Sequence, residues 1–221
     1  MLKVYIMPHL ENEIELKKQG YTYVAGTDEA GRGPWVGPVV AAAVCFQNGV
    51  PEDLKNALDD SKKLSAKKRE ILYEKIKSCG ALYGIGEASA QEIDEINILQ
   101  ASFLAMKRAL EQLESKGPKV DFVLVDGNRL PNWKWPSKAL IGGDGISLSI
   151  SAASILAKVT RDNQMKELAK EYPYYGWEKN AGYGAPAHIV GLKEYGITPH
   201  HRKSYAPIKK IIEENKDLTK R

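Results

Sequence analysis

The sequence has few cysteines and no long apolar run. Only two cysteines occur among 221 residues, Cys45 within an apolar stretch and Cys79 near a glycine. Their spacing offers neither a metal-binding pair nor a disulfide framework, so we interpret both as reduced structural thiols. The longest apolar stretches, such as residues 36–46, are much shorter than the roughly 20 residues of a membrane helix. A membrane protein and a disulfide-rich secreted protein are therefore not expected.

The beginning of the chain also lacks the apolar pattern of a secretory signal, because it carries the acids Glu11, Glu13 and Glu15. We therefore expect a cytoplasmic protein. Hydrophobic residues make up 43% of the chain and charged residues 27%, which is ordinary for a globular protein. The net charge of +4 tolerates a polyanionic partner without requiring one.

Apolar runs bounded by turn residues alternate with helical patterns, which predicts an α/β fold. The predicted strands cover residues 23–28, 36–46, 81–88, 122–126 and 138–141. The first two are joined by a short turn of glycine and proline and should form an antiparallel hairpin. Long helical segments between the later strands indicate parallel crossovers, so the sheet should be mixed.

Serine residues mark where two helical segments begin. Ser65 is a candidate N-cap for a helix that ends at Ser78, and Ser89 forms a capping box with Glu92. Apolar spacing of three and four residues, or a high alanine content, predicts the other helices over residues 96–113, 150–168, 187–195 and 208–214. Small side chains in the alanine-rich helix should let it lie close to the sheet.

Four acids stand at strand ends or just beyond them: Asp28, Glu29, Asp126 and Asp144. The strand ends of an open α/β sheet form a crevice, so these acids can converge there. Crowded carboxylates raise one another's pKa unless a cation neutralises them. Such a site suits Mg²⁺ or Mn²⁺, and two ions can activate water for phosphodiester cleavage. A nuclease, polymerase or phosphatase is indicated, although each acid alone would equally fit a solvated turn.

The adjacency of Asp28 and Glu29 requires an explanation, since neighbouring residues of a regular strand point to opposite faces. Both reach one site only if the strand bends there, and Ala30, Gly31 and Gly33 are expected to supply that bend. Arg32 then lies on a turn whose backbone amides suit sugar and phosphate groups.

Seven segments resemble bacterial ribonuclease HII in order and spacing, over about residues 24–207. They are DEAGRGP at 28–34, DSKKLS at 60–65, EIDEINIL at 92–99, VDGNRLP at 125–131, SAASILAKVTRD at 151–162, GYG at 182–184 and HHRKSY at 200–205. The resemblance implies a ribonuclease H-like α/β fold, with a mixed five-stranded central sheet flanked by helices and a helical C-terminal extension. It divides the chain into a helical lead-in at 1–22, a catalytic domain at 23–171, and a C-terminal loop with helices at 172–221 that completes the substrate groove.

The resemblance also implies a metal-dependent endonuclease. Its substrates would be the RNA strand of RNA–DNA hybrids and single ribonucleotides in duplex DNA, nicked on the 5′ side to leave 3′-hydroxyl and 5′-phosphate ends. Ribonucleotide excision repair and primer removal are the implied roles. The family's catalytic, metal-binding acids fall on Asp28, Glu29, Asp126 and Asp144, with two ions of Mg²⁺ or Mn²⁺ expected when substrate is bound. Its sensor of the ribose 2′-hydroxyl falls on Gly31, Arg32 and Gly33, and its junction-sensing tyrosine on Tyr183.

Two positions depart from many relatives, which carry lysine where this chain has Gly142 and Ala181. Each lost phosphate contact lowers the salt dependence of binding by about 0.9 in logarithmic slope. Weaker affinity for nucleic acid is therefore expected. Compensating contacts to nucleic acid are predicted from Lys62, Lys63, Lys158 and Arg161.

Two alternative functions are a ribonuclease HIII-like hybrid nuclease and a hybrid-binding module without catalysis. The first should carry a sizeable N-terminal domain, whereas about 23 residues precede the first strand here, and the presence of all four acids counts against the second. The segment NWKWP at 132–136 is predicted to be a packed loop, and structural roles are predicted for His9, His188, His200 and His201. Residues 215–221 show no pattern for binding a replication clamp, and a monomer is expected.

Overall fold

The computed structural model describes residues 8–218, with the side chains of residues 8–214. Residues 1–7 of the predicted lead-in at 1–22, and residues 219–221 of the segment 215–221, therefore lie outside the described residues. Helices in the described part are α1 (Glu11–Lys18), α2 (Glu52–Lys55), α3 (Ala66–Ser78), α4 (Ala90–Glu114), α5 (Leu148–Glu171), α6 (Trp177–Asn180), α7 (Pro186–Tyr195) and α8 (Ala206–Leu218).

The strands are β1 (Val24–Ala30), β2 (Val39–Cys45), β3 (Leu82–Ala88), β4 (Phe122–Asp126) and β5 (Ser137–Leu140). They form one sheet in the order β3-β2-β1-β4-β5. β2 pairs antiparallel with both β1 and β3, whereas β4 pairs parallel with both β1 and β5. The predicted hairpin and the predicted mixed sheet are both confirmed.

Local capping fixes where α3 and α4 begin. The side chain of Ser65 accepts a hydrogen bond from the amide of Lys68, and Ser89 and Glu92 form the predicted capping box. α4 is interrupted at Asn97, which has φ 67° and ψ 163°. The Asn97 side-chain oxygen accepts from the amide of Leu99 and caps the second half of the helix. The helix predicted over 96–113 is therefore the longer part of one kinked element.

α4 and α5 cover opposite faces of the sheet. α4 packs on β2 and β3 and α5 on β1 and β2, with small side chains at both contacts: Ala101, Ala105 and Ala109 in α4, and Ala152, Ala153 and Ala157 in α5. Small residues let a helix approach a sheet closely. The close contact predicted for the alanine-rich helix is confirmed.

The C-terminal elements pack against the end of α5. Their shared core contains Met165, Tyr175, Trp177, Leu192 and Ile208. On the other side of the molecule, the loop before β5 is packed as predicted, because Trp135 is buried and donates a hydrogen bond to Glu114 at 2.8 Å. Within residues 8–218, none of the helices combines the length and the apolar character needed to cross a bilayer.

Candidate active site

The four acids lie at one edge of the sheet. The parallel register of β1 and β4 sets Thr27 opposite Val125, so Asp126 lies beside Asp28. Asp144 follows β5 in a 3₁₀ turn over Gly143–Gly145. The backbone amide of Gly143 donates to Asp126 Oδ1 at 2.6 Å and ties this turn to the end of β4. Sequence-distant carboxylates are thereby gathered at the carboxyl ends of β1 and β4.

The bend expected at Asp28 and Glu29, supplied by Ala30, Gly31 and Gly33, comes later in the chain than the two acids. β1 keeps regular pairing with β2 through Ala30, so the chain turns only after both acids. The carboxyl group of Asp28 interacts with Ser154 on the α5 side. Glu29 lines a cavity of about 380 Å³ together with Leu99 and Phe103 of α4. The two acids therefore lie on opposite faces of the sheet. The charge of Asp126 raises the pKa of both.

The acids are electrostatically crowded. Burial raises the pKa of Asp28 well above its usual range, and the charges of Glu29 and Asp126 raise it further. Burial also raises the pKa of Glu29, although Arg32 opposes this by donating to Glu29 Oε1 at 3.0 Å. The pKa of Asp144 is raised to about 6, first by burial. Raised pKa values in several neighbouring carboxyl groups are typical of a site that binds a cation.

A fifth carboxylate, Asp60, belongs to this group and was not predicted as a site residue. Its side chain hydrogen-bonds that of Asp144, and its charge contributes to the raised Asp144 pKa. Lys62 lies among the same acids. Burial disfavours the charged form of Lys62, but the charges of Asp144 and Asp28 outweigh it and raise the pKa. The sequence signal for these two residues was the DSKKLS segment at 60–65. There an acid and a lysine stand on either side of Ser61, which is buried in the structure.

The donor set fits a hard divalent cation. Carboxylate oxygens are the ligands that Mg²⁺ and Mn²⁺ prefer, and a cation would relieve the crowding that raises the pKa values. In the described part of the chain, no three acidic, histidine or cysteine side chains already form a group that could hold an ion. Glu29 is drawn towards Arg32, and Asp126 towards the amide of Gly143.

The turn after β1 is held by a buried guanidinium. Arg202 has no exposed surface, and it donates to the carbonyl oxygens of Gly31 at 2.7 Å, Arg32 at 3.0 Å and Gly37 at 2.9 Å. The Tyr205 hydroxyl accepts from Arg202 and donates to the carbonyl of Arg32. The carbonyl groups of the turn therefore face inward, towards donors supplied by the C-terminal segment.

Arg161 does not bind nucleic acid as predicted, because only 1% of it is exposed. Its guanidinium donates to the carbonyl oxygens of Val36, Pro38 and Ala181 at 3.0–3.1 Å. Gly31, at φ +96°, passes directly over it, and a Cβ atom there would lie 1.9 Å from Arg161 Nε. Arg161 therefore supports the turn from beneath, and only glycine fits above it.

Tyr183 reaches this turn from the C-terminal region. The tyrosine is 51% exposed, and a Cβ atom on Gly33 would lie 3.2 Å from its ring. Lys158 lies elsewhere, in a cavity of about 300 Å³ that also contains Ala181, and it donates to Asp162 at 2.7 Å. Of the predicted residues, Tyr183 joins the glycine turn and Lys62 joins the acids.

Two of the four histidines are buried, His188 and His201, and both are hydrogen-bonded inside the C-terminal core. Their predicted structural character is confirmed. Arg129, by contrast, is an exposed cation that was not predicted, and it lines the same cavity as Glu29 and Asp126. A cation at that position suits a phosphate backbone.

A mixed five-stranded sheet with acids at the ends of its adjacent parallel strands defines a nuclease of the ribonuclease H-like class. The family model described as Ribonuclease HII matches residues 25–208. Ribonuclease HII of Gluconobacter oxydans is 56% identical over 191 residues, covering 86% of this chain and 91% of that protein. Its counterpart in Anaplasma phagocytophilum is 50% identical over 214 residues, covering 97% of this chain and all of that protein.

Solved structures agree. The ribonuclease H2 of Pyrococcus horikoshii matches with a TM-score of 0.72 and 28% identity, over 88% of this chain and 99% of that one. The ribonuclease HII of Archaeoglobus fulgidus, solved in complex with PCNA, matches with a TM-score of 0.67 and 26% identity, over 83% and 95%. This chain belongs to the ribonuclease HII family and is a ribonuclease H endonuclease. The predicted fold is confirmed.

Proposed function

We propose that Asp28, Glu29, Asp126 and Asp144 bind two ions of Mg²⁺ or Mn²⁺. With them the enzyme cleaves the RNA strand of RNA–DNA hybrids and nicks 5′ to a single ribonucleotide in duplex DNA, leaving 3′-hydroxyl and 5′-phosphate ends. The observation that carries this proposal is the position of the acids beside the Gly31–Gly33 turn, against which Tyr183 lies. Such an arrangement joins a cleavage site to a group that can recognise ribose.

Bound divalent ions supply the charge that activates water and stabilises the leaving oxygen of the phosphodiester. The chain's own residues prepare for this. The amide of Gly143 orients Asp126, and Ser154 orients Asp28 from the α5 side. Lys62 lies among the acids and is suited to a neighbouring phosphate of the substrate strand.

We assign recognition of the ribose 2′-hydroxyl to Gly31, Arg32 and Gly33. The carbonyl groups of Gly31 and Arg32 are engaged from the inside by Arg202, while the Arg32 side chain is 52% exposed. The exposed ring of Tyr183 offers an apolar face to the deoxyribose of the adjoining DNA nucleotide. A substrate with ribose on one side and deoxyribose on the other would satisfy both groups.

Lys158 is assigned to a phosphate further along the nucleic acid. It shares its cavity with Arg69, Lys166 and Lys179, so several cations line one depression. Acids are interspersed among them, and Lys158 itself is paired with Asp162. Binding a phosphate there requires Lys158 to exchange one anionic partner for another.

We further assign the protein to the cytoplasm and to a monomeric state without an obligate protein partner. The free thiols of Cys45 and Cys79 fit a reducing compartment. The acids, the glycine turn and Tyr183 all come from one chain, so a single subunit supplies every group that the proposed site uses. Sedimentation of the free protein checks the monomeric state.

The decisive experiment is cleavage of a labelled DNA duplex that contains one ribonucleotide. Wild type and Asp126→Asn are compared in Mg²⁺, in Mn²⁺ and in chelator, with a long RNA–DNA hybrid as the second substrate. A metal-dependent nick 5′ to the ribonucleotide, lost in the variant, supports the proposal. Cleavage of the hybrid alone would refute the assigned junction recognition, and unchanged activity of Asp126→Asn would refute the carboxylate site.

A further inference from the structure

The buried imidazole pair His188 and His201 lies directly behind Tyr183. We propose that this pair fixes the peptide group of Tyr183, so that both histidines are specificity-positioning residues for the choice of RNA–DNA junctions. This inference rests on the proposed role of Tyr183. Neither histidine touches the substrate in this scheme, and their effect passes through the tyrosine backbone.

The hydrogen bonds determine where every imidazole proton lies. The amide of Thr198 donates to His201 Nδ1 at 2.8 Å, so that nitrogen is an acceptor. A neutral His201 then carries its proton on Nε2, which lies 3.1 Å from His188 Nε2. His188 accepts there and donates from Nδ1 to the carbonyl oxygen of Tyr183 at 2.9 Å. One defined pair of tautomers satisfies these three bonds, and in that pair His188 Nε2 also accepts from the indole N–H of Trp177 at 3.3 Å.

The surroundings maintain this neutral state. Burial lowers the pKa of His201 to about 3 and also lowers the pKa of His188. The aromatic rings of Trp177 and Tyr175 pack against both imidazoles. The hydrogen-bonded pair of His201 and His188, which we call the relay, is therefore a rigid, uncharged element of the C-terminal core.

The Tyr183 backbone needs such a support because its side chain is largely exposed. Its carbonyl oxygen accepts a second bond from the amide of Ala185, and its amide donates to the carbonyl of Asn180. Ala181 takes a left-handed conformation, with φ 49°. Only Ala181 and Gly182 separate α6 from Tyr183, and His188 is the side chain that bonds the tyrosine carbonyl.

Substitutions at His188 separate positioning from packing. His188→Asn keeps a side-chain amide near the place of Nδ1 and can still donate to the Tyr183 carbonyl, whereas His188→Leu cannot. His200→Asn is the matched control, because the His200 ring contacts Tyr172 rather than the relay. Each variant is tested on the single-ribonucleotide duplex and on a long hybrid, and its melting temperature is recorded.

We expect His188→Leu to lower the ratio of junction cleavage to hybrid cleavage by about tenfold, the effect of one hydrogen bond of about 1.4 kcal/mol. His188→Asn should restore most of that ratio, and His200→Asn should leave it unchanged. Equal losses on both substrates, in proportion to the fall in melting temperature, would mean that the pair is only structural and would overturn the inference.

Two further measurements keep the outcome unambiguous. Tyr183→Ala tests the underlying proposal: if it leaves the ratio unchanged, the proposed role of Tyr183 fails, whereas an effect of Tyr183→Ala without one of His188→Leu defeats only the relay. Imidazole ¹⁵N shifts of the wild-type protein need no variant. They should show His201 protonated at Nε2 and His188 at Nδ1, and any other pair of tautomers contradicts the relay.

Discussion

Arg202 donates a 2.7 Å hydrogen bond to the carbonyl oxygen of Gly31, although 171 residues separate them along the chain. The same guanidinium also bonds the carbonyls of Arg32, Gly37 and Pro38. A planar group with five donors spread over three nitrogens can reach all four carbonyls at once, whereas the three donors of a lysine ammonium sit on a single nitrogen. The shape of the glycine turn is therefore set by a side chain from the far end of the chain.

Arg202→Lys tests this relationship. The variant keeps the positive charge but loses the forked geometry, so some turn carbonyls are left without donors. We expect the free energy of unfolding to fall by about 3 kcal/mol, on the scale of two charged hydrogen bonds. Junction cleavage should fall more than hybrid cleavage, as measured by initial rates well below the melting temperature. Lys203→Arg, on the adjacent exposed side chain, is the control and should change neither quantity.

Arg161 should behave as a structural residue rather than as a phosphate contact. Arg161→Met removes its three bonds to backbone carbonyls and should lower the melting temperature by several degrees. The salt dependence of duplex binding should stay the same, because no phosphate contact is lost. Lys158→Met should do the reverse and reduce the logarithmic salt slope by about 0.9. A reduced salt slope in Arg161→Met would instead show that Arg161 contacts a phosphate of the nucleic acid.

The crowded acids predict an unusual dependence of stability on pH. Asp28 and Asp144 have raised pKa values in the folded protein, that of Asp144 to about 6, so the fold binds their protons more tightly than the unfolded chain does. Their contribution to metal-free stability is therefore greatest below pH 4, and the part due to Asp144 is lost as the pH rises through about 6. Chemical denaturation between pH 4 and 7.5 should show this loss, and Asp144→Asn should reduce it.

Divalent cations should cancel that loss. Mg²⁺ or Mn²⁺ favours the ionised carboxylates, so adding either ion should raise the melting temperature more at pH 7.5 than at pH 5. The buried histidines have lowered pKa values and act in the opposite sense as the pH falls. The comparison with Asp144→Asn isolates the carboxylates. If the added ion raises the melting temperature of wild type and of Asp144→Asn equally, Asp144 does not bind the ion.

Restoring a lysine at position 181 should strengthen binding to nucleic acid. Ala181 already adopts the left-handed conformation with a Cβ atom, so Ala181→Lys adds a cation with little new backbone strain. We expect tighter binding at low salt and a logarithmic salt slope steeper by about 0.9. Gly142→Lys gains the same charge but adds a Cβ atom at φ 65°, which should lower stability by about 1 kcal/mol. Fluorescence anisotropy across a salt series measures both slopes.

Local sequence signals predicted most of the fold. Ser65 and Ser89 stand at the helix starts that their capping chemistry indicates, and apolar runs bounded by turn residues identified all five strands. The break at Asn97 could not be predicted, since the apolar spacing of three and four residues continues across it. The bonds that the Asn97 side chain accepts from the amides of Leu99 and Gln100 leave no trace in that spacing.

The site was predictable where it depends on strand ends and not where it depends on burial. Asp126 and Asp144 follow apolar strands, so their convergence could be expected. The regular continuation of β1 beyond Glu29 depends on its partner β2, and periodicity alone does not show it. Arg161 was assigned to the surface because arginine is rarely buried. The backbone carbonyl groups that accept its hydrogen bonds cannot be recognised from the sequence.

The order in which the polypeptide is synthesised gives the Arg202 contact a further meaning. All four acids precede residue 145 in the chain, whereas the strand-like bridge between Val36 and His201 and the bonds of Arg202 require residues from the last tenth of the chain. A polypeptide truncated before residue 200 would thus retain its carboxylates and lack the donors that shape the glycine turn. Synthesis of the last tenth of the chain is therefore needed to complete the donors around the glycine turn, to which we assign recognition of ribose.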